Sequence, residues 1–323
     1  MRATPGLMKL KFIQMLTLGL IFGVVAGILG FVLWYSGASG FSGILLALVF
    51  SLFMMFFQWL IGPTLIKAMT RMKEVSPSEA PRLHEMANRL AVEAGIRKPK
   101  LYVVKDPTPN AFAFGRTQKS AGIAVHEGLL NLLNEGEVEA VLAHEMGHIK
   151  HRDVLVMTLA SVLPIMLYYI IIVMGSNRRD GRRDGGANIL LLIIGAQIAS
   201  FMGRLLVMWL SRQREYYADA FSAYATSNPK NLMSGLAKIS YGMPLRRTDV
   251  NPALSAFYIS DPSPSEKQAM VEIVNAISSG DENHLRDAIK KEKMHGKLEL
   301  FMTHPLTAKR LDSLNRIRKE MGG

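Results

Sequence analysis

Apolar and polar positions fall along this chain in blocks. From Phe12 to Ile66, 55 consecutive residues include no Asp, Glu, Lys, Arg or His. A bilayer core of about 30 Å needs about 20 apolar residues per helix, so this block predicts two membrane spans, at 12–35 and 41–66. Ser36-Gly37-Ala38-Ser39-Gly40 forms the small-residue turn between them. A secretory signal would be shorter, and a second span would not follow it at once. Two further uncharged runs, Val154–Asn177 and Gly185–Gly203, predict a second hairpin with spans at 154–176 and 188–210. Pro164 is expected to kink the first of these.

The polar stretches carry other periods. Within 67–153, Leu83, Met86, Leu90 and Ala94 recur at helical spacing over Ser78–Ala94, and Gly95 ends that helix. Leu101–Val104, Ala111–Phe114 and Ala121–Val125 read as short strands among turn residues. A short helix over Leu129–Leu133 follows. Asn134 then caps a longer one, with Glu137 in the capping-box position, running through Val138, Val141, Leu142 and Met146 towards His151. The last section, 211–323, is polar and mainly helical, with helices expected after Pro262-Ser263-Pro264, over Leu285–Lys293 and over Ala308–Met321. The fold class expected is therefore α+β and mainly helical: four transmembrane helices and a small β-sheet. It is organised as a hairpin (1–66), a polar part (67–153), a second hairpin (154–210) and a second polar part (211–323).

A net charge of +12 raises the question of nucleic acid. The positives gather beside the apolar runs, at Arg2, Lys9, Lys11, Lys67, Arg71, Lys73, Arg212 and Arg214, which suits membrane anchoring and anionic headgroups. No nucleic-acid motif accompanies them. The chain has no cysteine, which excludes disulfides, thiolate metal sites and cysteine nucleophiles. Any metal must be held by His and carboxylates.

His144-Glu145-Met146-Gly147-His148 is the strongest chemical signal. On a helix, positions i and i+4 share a face, so two imidazoles can meet one cation while the intervening Glu takes a proton from a water beside it. A hydrolytic site needs a third protein ligand. His151, seven residues from His144, lies about 10 Å further along the same axis, and Asp153 is placed no better. Glu215 is favoured. It opens Glu215-Tyr216-Tyr217-Ala218-Asp219, expected to start a new polar helix after the fourth span, with Asp219 one turn on to accept a hydrogen bond from a ligating imidazole.

His-Glu-x-x-His, the four-span layout and Arg212-Gln213-Arg214-Glu215-Tyr216-Tyr217-Ala218-Asp219 together resemble the HtpX-type heat-shock membrane metalloproteases. These gluzincins belong with the CAAX prenyl proteases. The likeness extends to Asn110-Ala111-Phe112-Ala113 and Thr303-His304-Pro305. It implies one Zn2+ held by His144, His148 and Glu215, with Glu145 as catalytic base, in a gluzincin-like metallopeptidase domain. It also implies that Asn110–Ala113 is a sheet edge pairing with an extended substrate backbone, and that His304 helps near the site. The stretch 242–300 exceeds what such a core needs and has no assigned role.

Two crossings separate the His-Glu-x-x-His helix from Glu215, so both halves of the site return to one side. Positives flank the first hairpin and its loop is uncharged, so the positive-inside rule puts the site and both termini in the cytoplasm, at the cell membrane. Arg178, Arg179, Arg182 and Arg183 oppose that orientation. The function expected is an endopeptidase acting on misfolded membrane proteins as quality control. The alternatives are a CAAX-type prenyl-peptide processing protease, and a membrane scaffold that keeps zinc without turnover.

Overall fold

The computed structural model describes residues 41–176, 185–241, 264–293 and 304–322. It divides into two compact units: Trp59–Met157 with Met208–Gly323, and Arg2–Gln58 with Thr158–Val207.

The first unit is built on a four-stranded sheet. Its strands are β1 (Lys73–Glu74), β2 (Lys100–Val104), β3 (Ala111–Phe114) and β4 (Gly122–His126), in the order β1-β2-β4-β3. The β2/β4 pair is parallel and the other two are antiparallel, which leaves β3 at an edge. Period-two alternation sorts the side chains. Leu101, Ile123 and Val125 point into the main core. Tyr102, Val104, Phe112, Phe114 and Ala124 form the other face, covered by Ile66 and Met72.

Helix α1 (Phe41–Thr70) precedes β1. Helix α2 (Pro81–Ala94) starts with Pro in its first turn and ends at Gly95, whose φ of 66° gives the left-handed cap that glycine adopts at least cost. Helix α3 (Glu127–Leu132) leads into α4 (Glu135–Lys150), and Asn134 and Glu137 form the reciprocal capping box the sequence predicts. Glu137 is almost fully buried, and it also accepts from Ser234 Oγ at 2.5 Å and Lys238 Nζ at 2.6 Å. These donors lie on α8 (Pro229–Tyr241), so α4 is fastened at its start.

Helices α5 (Asp153–Ala160) and α6 (Val162–Ser176) are separated at Ser161, three residues before Pro164, as the expected kink requires. Helix α7 (Gly185–Thr226) runs unbroken for 42 residues. Glu215 therefore does not open a new helix, contrary to expectation. Between Arg204 and Ser227 neither Gly nor Pro interrupts the chain, so nothing releases the helical hydrogen bonds where the composition turns polar. Helices α9 (Pro264–Ser279), α10 (Glu282–Lys293) and α11 (Thr307–Glu320) complete the first unit. Ile273, Leu285 and Leu311 join the main core, so the described parts of 242–300 help build it.

Among the described residues, two helices are long and apolar enough to cross a membrane, Asp153–Ile172 and Leu190–Thr226. Leu190, Ile198, Met202 and Leu206 on α7 are each more than half exposed, an arrangement that water disfavours and lipid does not. The expected span at 41–66 falls within α1, which contains Pro63. The expected span at 12–35, the basic residues Arg2, Lys9 and Lys11, and Arg178–Arg183 lie outside the described residues.

Candidate active site

Every side chain of the site belongs to the first unit. Helix α4 presents His144 and His148 one turn apart, with ring centroids 4.8 Å from each other. Helix α7 crosses α4 at Gly147. A Cβ on that glycine would lie 2.9 Å from the Ala218 Cα, and only hydrogen allows the two backbones this close. At the same crossing Ser222 Oγ donates to the Ala140 carbonyl at 2.6 Å. Close packing there brings Glu215, one turn before Ala218 on α7, up to the two imidazoles.

Each imidazole is held from behind. His144 Nδ1 lies 3.0 Å from Asp219 Oδ1, and His148 Nδ1 lies 2.6 Å from Asp153 Oδ2. A carboxylate only accepts, so each Nδ1 carries a proton, and each Nε2 is the ring atom left to face a cation. Those Nε2 atoms are 3.2 Å apart. Glu215 completes the group, with Oε2 3.7 Å from His144 Nε2 and Oε1 3.6 Å from His148 Nε2.

One ligand atom from each of His144, His148 and Glu215 lies within 4.8 Å of the other two. A tetrahedral zinc ion with about 2.0–2.1 Å bonds to nitrogen sets two imidazole nitrogens about 3.3 Å apart, so the donor set fits such an ion. His151, weighed as a third ligand, instead ends α4, and its ring meets Tyr217 at 5.9 Å.

Glu145 is 8% exposed, and its Oε2 accepts from the Ala113 N–H of β3 at 2.7 Å. Ala111, Phe112 and Ala113 belong to β3, and Asn110 immediately precedes it. Asn110 accepts from the His126 N–H, and Phe112 faces Ala124, so Ala111 and Ala113 direct their backbone groups away from β4. His304 Nδ1 is 3.1 Å from Glu215 Oε1, and 54% of the His304 side chain is exposed.

Sequence reasoning missed two contributors. Arg310 on α11 is buried at 7% exposure, with Nη1 3.1 Å from Glu215 Oε2 and Nη2 2.6 Å from Asp219 Oδ1. No local pattern marks it. The only hint is charge balance, since buried carboxylates need cations. Asp153, set aside as a ligand, proves to be the partner of His148.

Charge follows this geometry. Burial works against a charged His148, but the Asp153 hydrogen bond and the Glu215 and Glu145 carboxylates prevail and push its pKa up to about 9. The negative charge of Glu215 raises that of His304. Burial opposes the Arg310 cation, yet Asp219 and Glu215 hold its pKa above the ordinary value. A cation at the Nε2 atoms would have to displace any proton there, so its binding releases protons.

The chain is similar to known peptidases. The model of peptidase family M48 matches residues 77–318. A protease HtpX homolog of Methanothermobacter thermautotrophicus is 42% identical over 72% of this chain and 86% of its own length. One from Pyrococcus furiosus is 35% identical over 94% of this chain and 96% of its own. The crystal structure of S. mikatae Ste24p shares the fold, with a TM-score of 0.55 at 17% identity, covering 97% of this chain and 67% of that one. With most of its length inside the family model and relatives matching nearly end to end, this chain belongs to peptidase family M48 and is a metallopeptidase.

Proposed function

We propose that the protein is a membrane-bound, zinc-dependent endopeptidase that cleaves damaged or misfolded membrane proteins. His144, His148 and Glu215 hold the ion and Glu145 is the general base. The observation that carries this reading is the convergence of the His144 and His148 Nε2 atoms, 3.2 Å apart, on one side of Glu215. A zinc ion bound there supplies a more acidic water and draws charge from a carbonyl oxygen.

The chain's own residues do the rest. An extended substrate pairs with the backbone of Ala111 and Ala113 at the β3 edge, which selects polypeptide with little regard for side chains. That edge places the scissile carbonyl beside Glu145, tied to Ala113 at 2.7 Å. Glu145 takes the proton from the attacking water and passes it to the departing amine. Asp219 keeps His144 oriented, and His304 donates to the developing oxyanion.

Four spans, 12–35, 41–66, 154–176 and 188–210, with both termini and the site in the cytoplasm, complete the proposal. The uncharged loop of the first hairpin supports that orientation. An open edge and a relative named protease HtpX favour broad specificity over prenyl-peptide processing, and an intact Glu145 disfavours a scaffold that only stores metal. The test is digestion of an unfolded protein by the purified chain. Activity should vanish with a zinc chelator and return with zinc. Undiminished cleavage in chelator would refute the proposal.

A further inference from the structure

Arg214 stands immediately before Glu215, and no step above uses it. Its side chain is 15% exposed. Arg214 Nη2 donates to Asp153 Oδ1 and, at 2.6 Å, to the carbonyl of His151, the residue that ends α4. The second oxygen of Asp153 accepts the His148 Nδ1 proton at 2.6 Å. Arg214, Asp153 and His148 thus form a chain of contacts whose last atom, His148 Nε2, faces Glu215. The same three-part chain backs the other imidazole. There Arg310 donates to Asp219 from Nε at 2.8 Å and from Nη2 at 2.6 Å, and Asp219 lies 3.0 Å from His144 Nδ1.

An aspartate fixes an imidazole only as well as its own carboxyl is fixed. With one oxygen on His148 Nδ1 and the other unheld, the carboxyl of Asp153 could turn about its broad χ2 torsion and carry the ring with it. A guanidinium is permanently charged and planar, and the two hydrogens on Nη2 of Arg214 fork to two acceptors at once. Here those acceptors are the aspartate and the end of the helix that carries the histidine.

We propose that Arg214 is a positioning residue for metal binding. Acting through Asp153, it fixes the ring of His148 so that Nε2 stays aimed at the cation. This rests on the reading of His148 as a metal ligand.

The test uses the full chain in detergent, stripped of metal and titrated with zinc against a chromophoric chelator. Arg214→Gln should weaken zinc binding on the order of 10–100-fold, the usual loss when a partner behind a ligand is removed. Arg214→Lys, which keeps the charge and loses the fork, should recover part of that loss. Asp153→Asn should weaken binding comparably. The double variant Asp153→Asn/Arg214→Gln should lose far less than the product of the two single losses, because the arginine acts mainly through the aspartate.

Wild-type affinity in Arg214→Gln, or losses that multiply in the double variant, overturns the proposal. If Arg214→Gln does not fold, the double variant, which buries no uncompensated charge, decides the matter against Asp153→Asn. His148→Ala separates the two readings. If that variant keeps wild-type affinity, the ligand assignment fails. If it loses affinity while Arg214→Gln does not, only the role of Arg214 fails.

Discussion

The Ala113 N–H donates to Glu145 Oε2 at 2.7 Å, joining the edge strand of the sheet to the middle residue of the His-Glu-x-x-His helix. One contact thus ties the group read as the base to the strand read as the substrate guide. Glu145→Gln keeps the shape of that contact and removes the basicity. It should bind zinc as wild type does while cleavage falls on the order of 10²–10⁴-fold. Metal content and digestion rate, measured on one preparation, check both halves.

Ala113→Pro tests the other end. Ala113 directs its N–H away from β4, so proline there costs no bond within the sheet. Proteolysis should collapse, and the melting temperature should fall only as far as loss of the single Ala113–Glu145 bond requires. Phe112→Pro, which breaks pairing to β4, should unfold the domain instead. Similar melting temperatures for the two variants would show that the edge has been misread.

Gly147→Ala would set a methyl group 2.9 Å from the Ala218 Cα, a backbone atom that cannot rotate away. The helices must part, at a cost of about 1–3 kcal/mol, and Glu215 must withdraw from the two imidazoles. Thermal unfolding should show the first effect and zinc titration the second.

Removing Arg310 should be more severe. Arg310→Met leaves Glu215 and Asp219, at 5% and 0% exposure, without their shared cation. Breaking a buried pair this way costs about 3–5 kcal/mol. Chemical denaturation in the presence of chelator isolates this loss from any loss of metal.

His126 sets a pH dependence away from the site. It is fully buried, and burial lowers its pKa, although Asp106 and the Thr108 carbonyl act the other way. A histidine with a depressed folded pKa stays neutral in the fold while the unfolded chain takes up a proton. Stability is therefore complete above the ordinary imidazole value of 6.5 and declines as the pH falls below it. His126→Gln should flatten the fall in melting temperature between pH 7 and pH 5, read as the difference from wild type.

Much of the architecture was legible in the sequence because it is local. The Asn134–Glu137 capping box, the Gly95 stop and the three longer strands depend on residues within a few positions of each other. The His144/His148 pair is legible for the same reason. Arg310 is not, since it reaches Asp219 across 91 positions and sits in an ordinary basic helix. Strand β1, two residues long, has no period to read. The continuity of α7 was missed because composition changes at Arg212 while the backbone has no reason to stop.

The dependence of Glu215 and Asp219 on Arg310 bears on the order of manufacture. A ribosome makes this arginine 91 residues after Asp219. Until then the acidic pair lacks its counter-charge, although the nascent polypeptide already carries every element of the cutting motif. Assembly of the centre therefore waits on a helix translated well after the residues it completes.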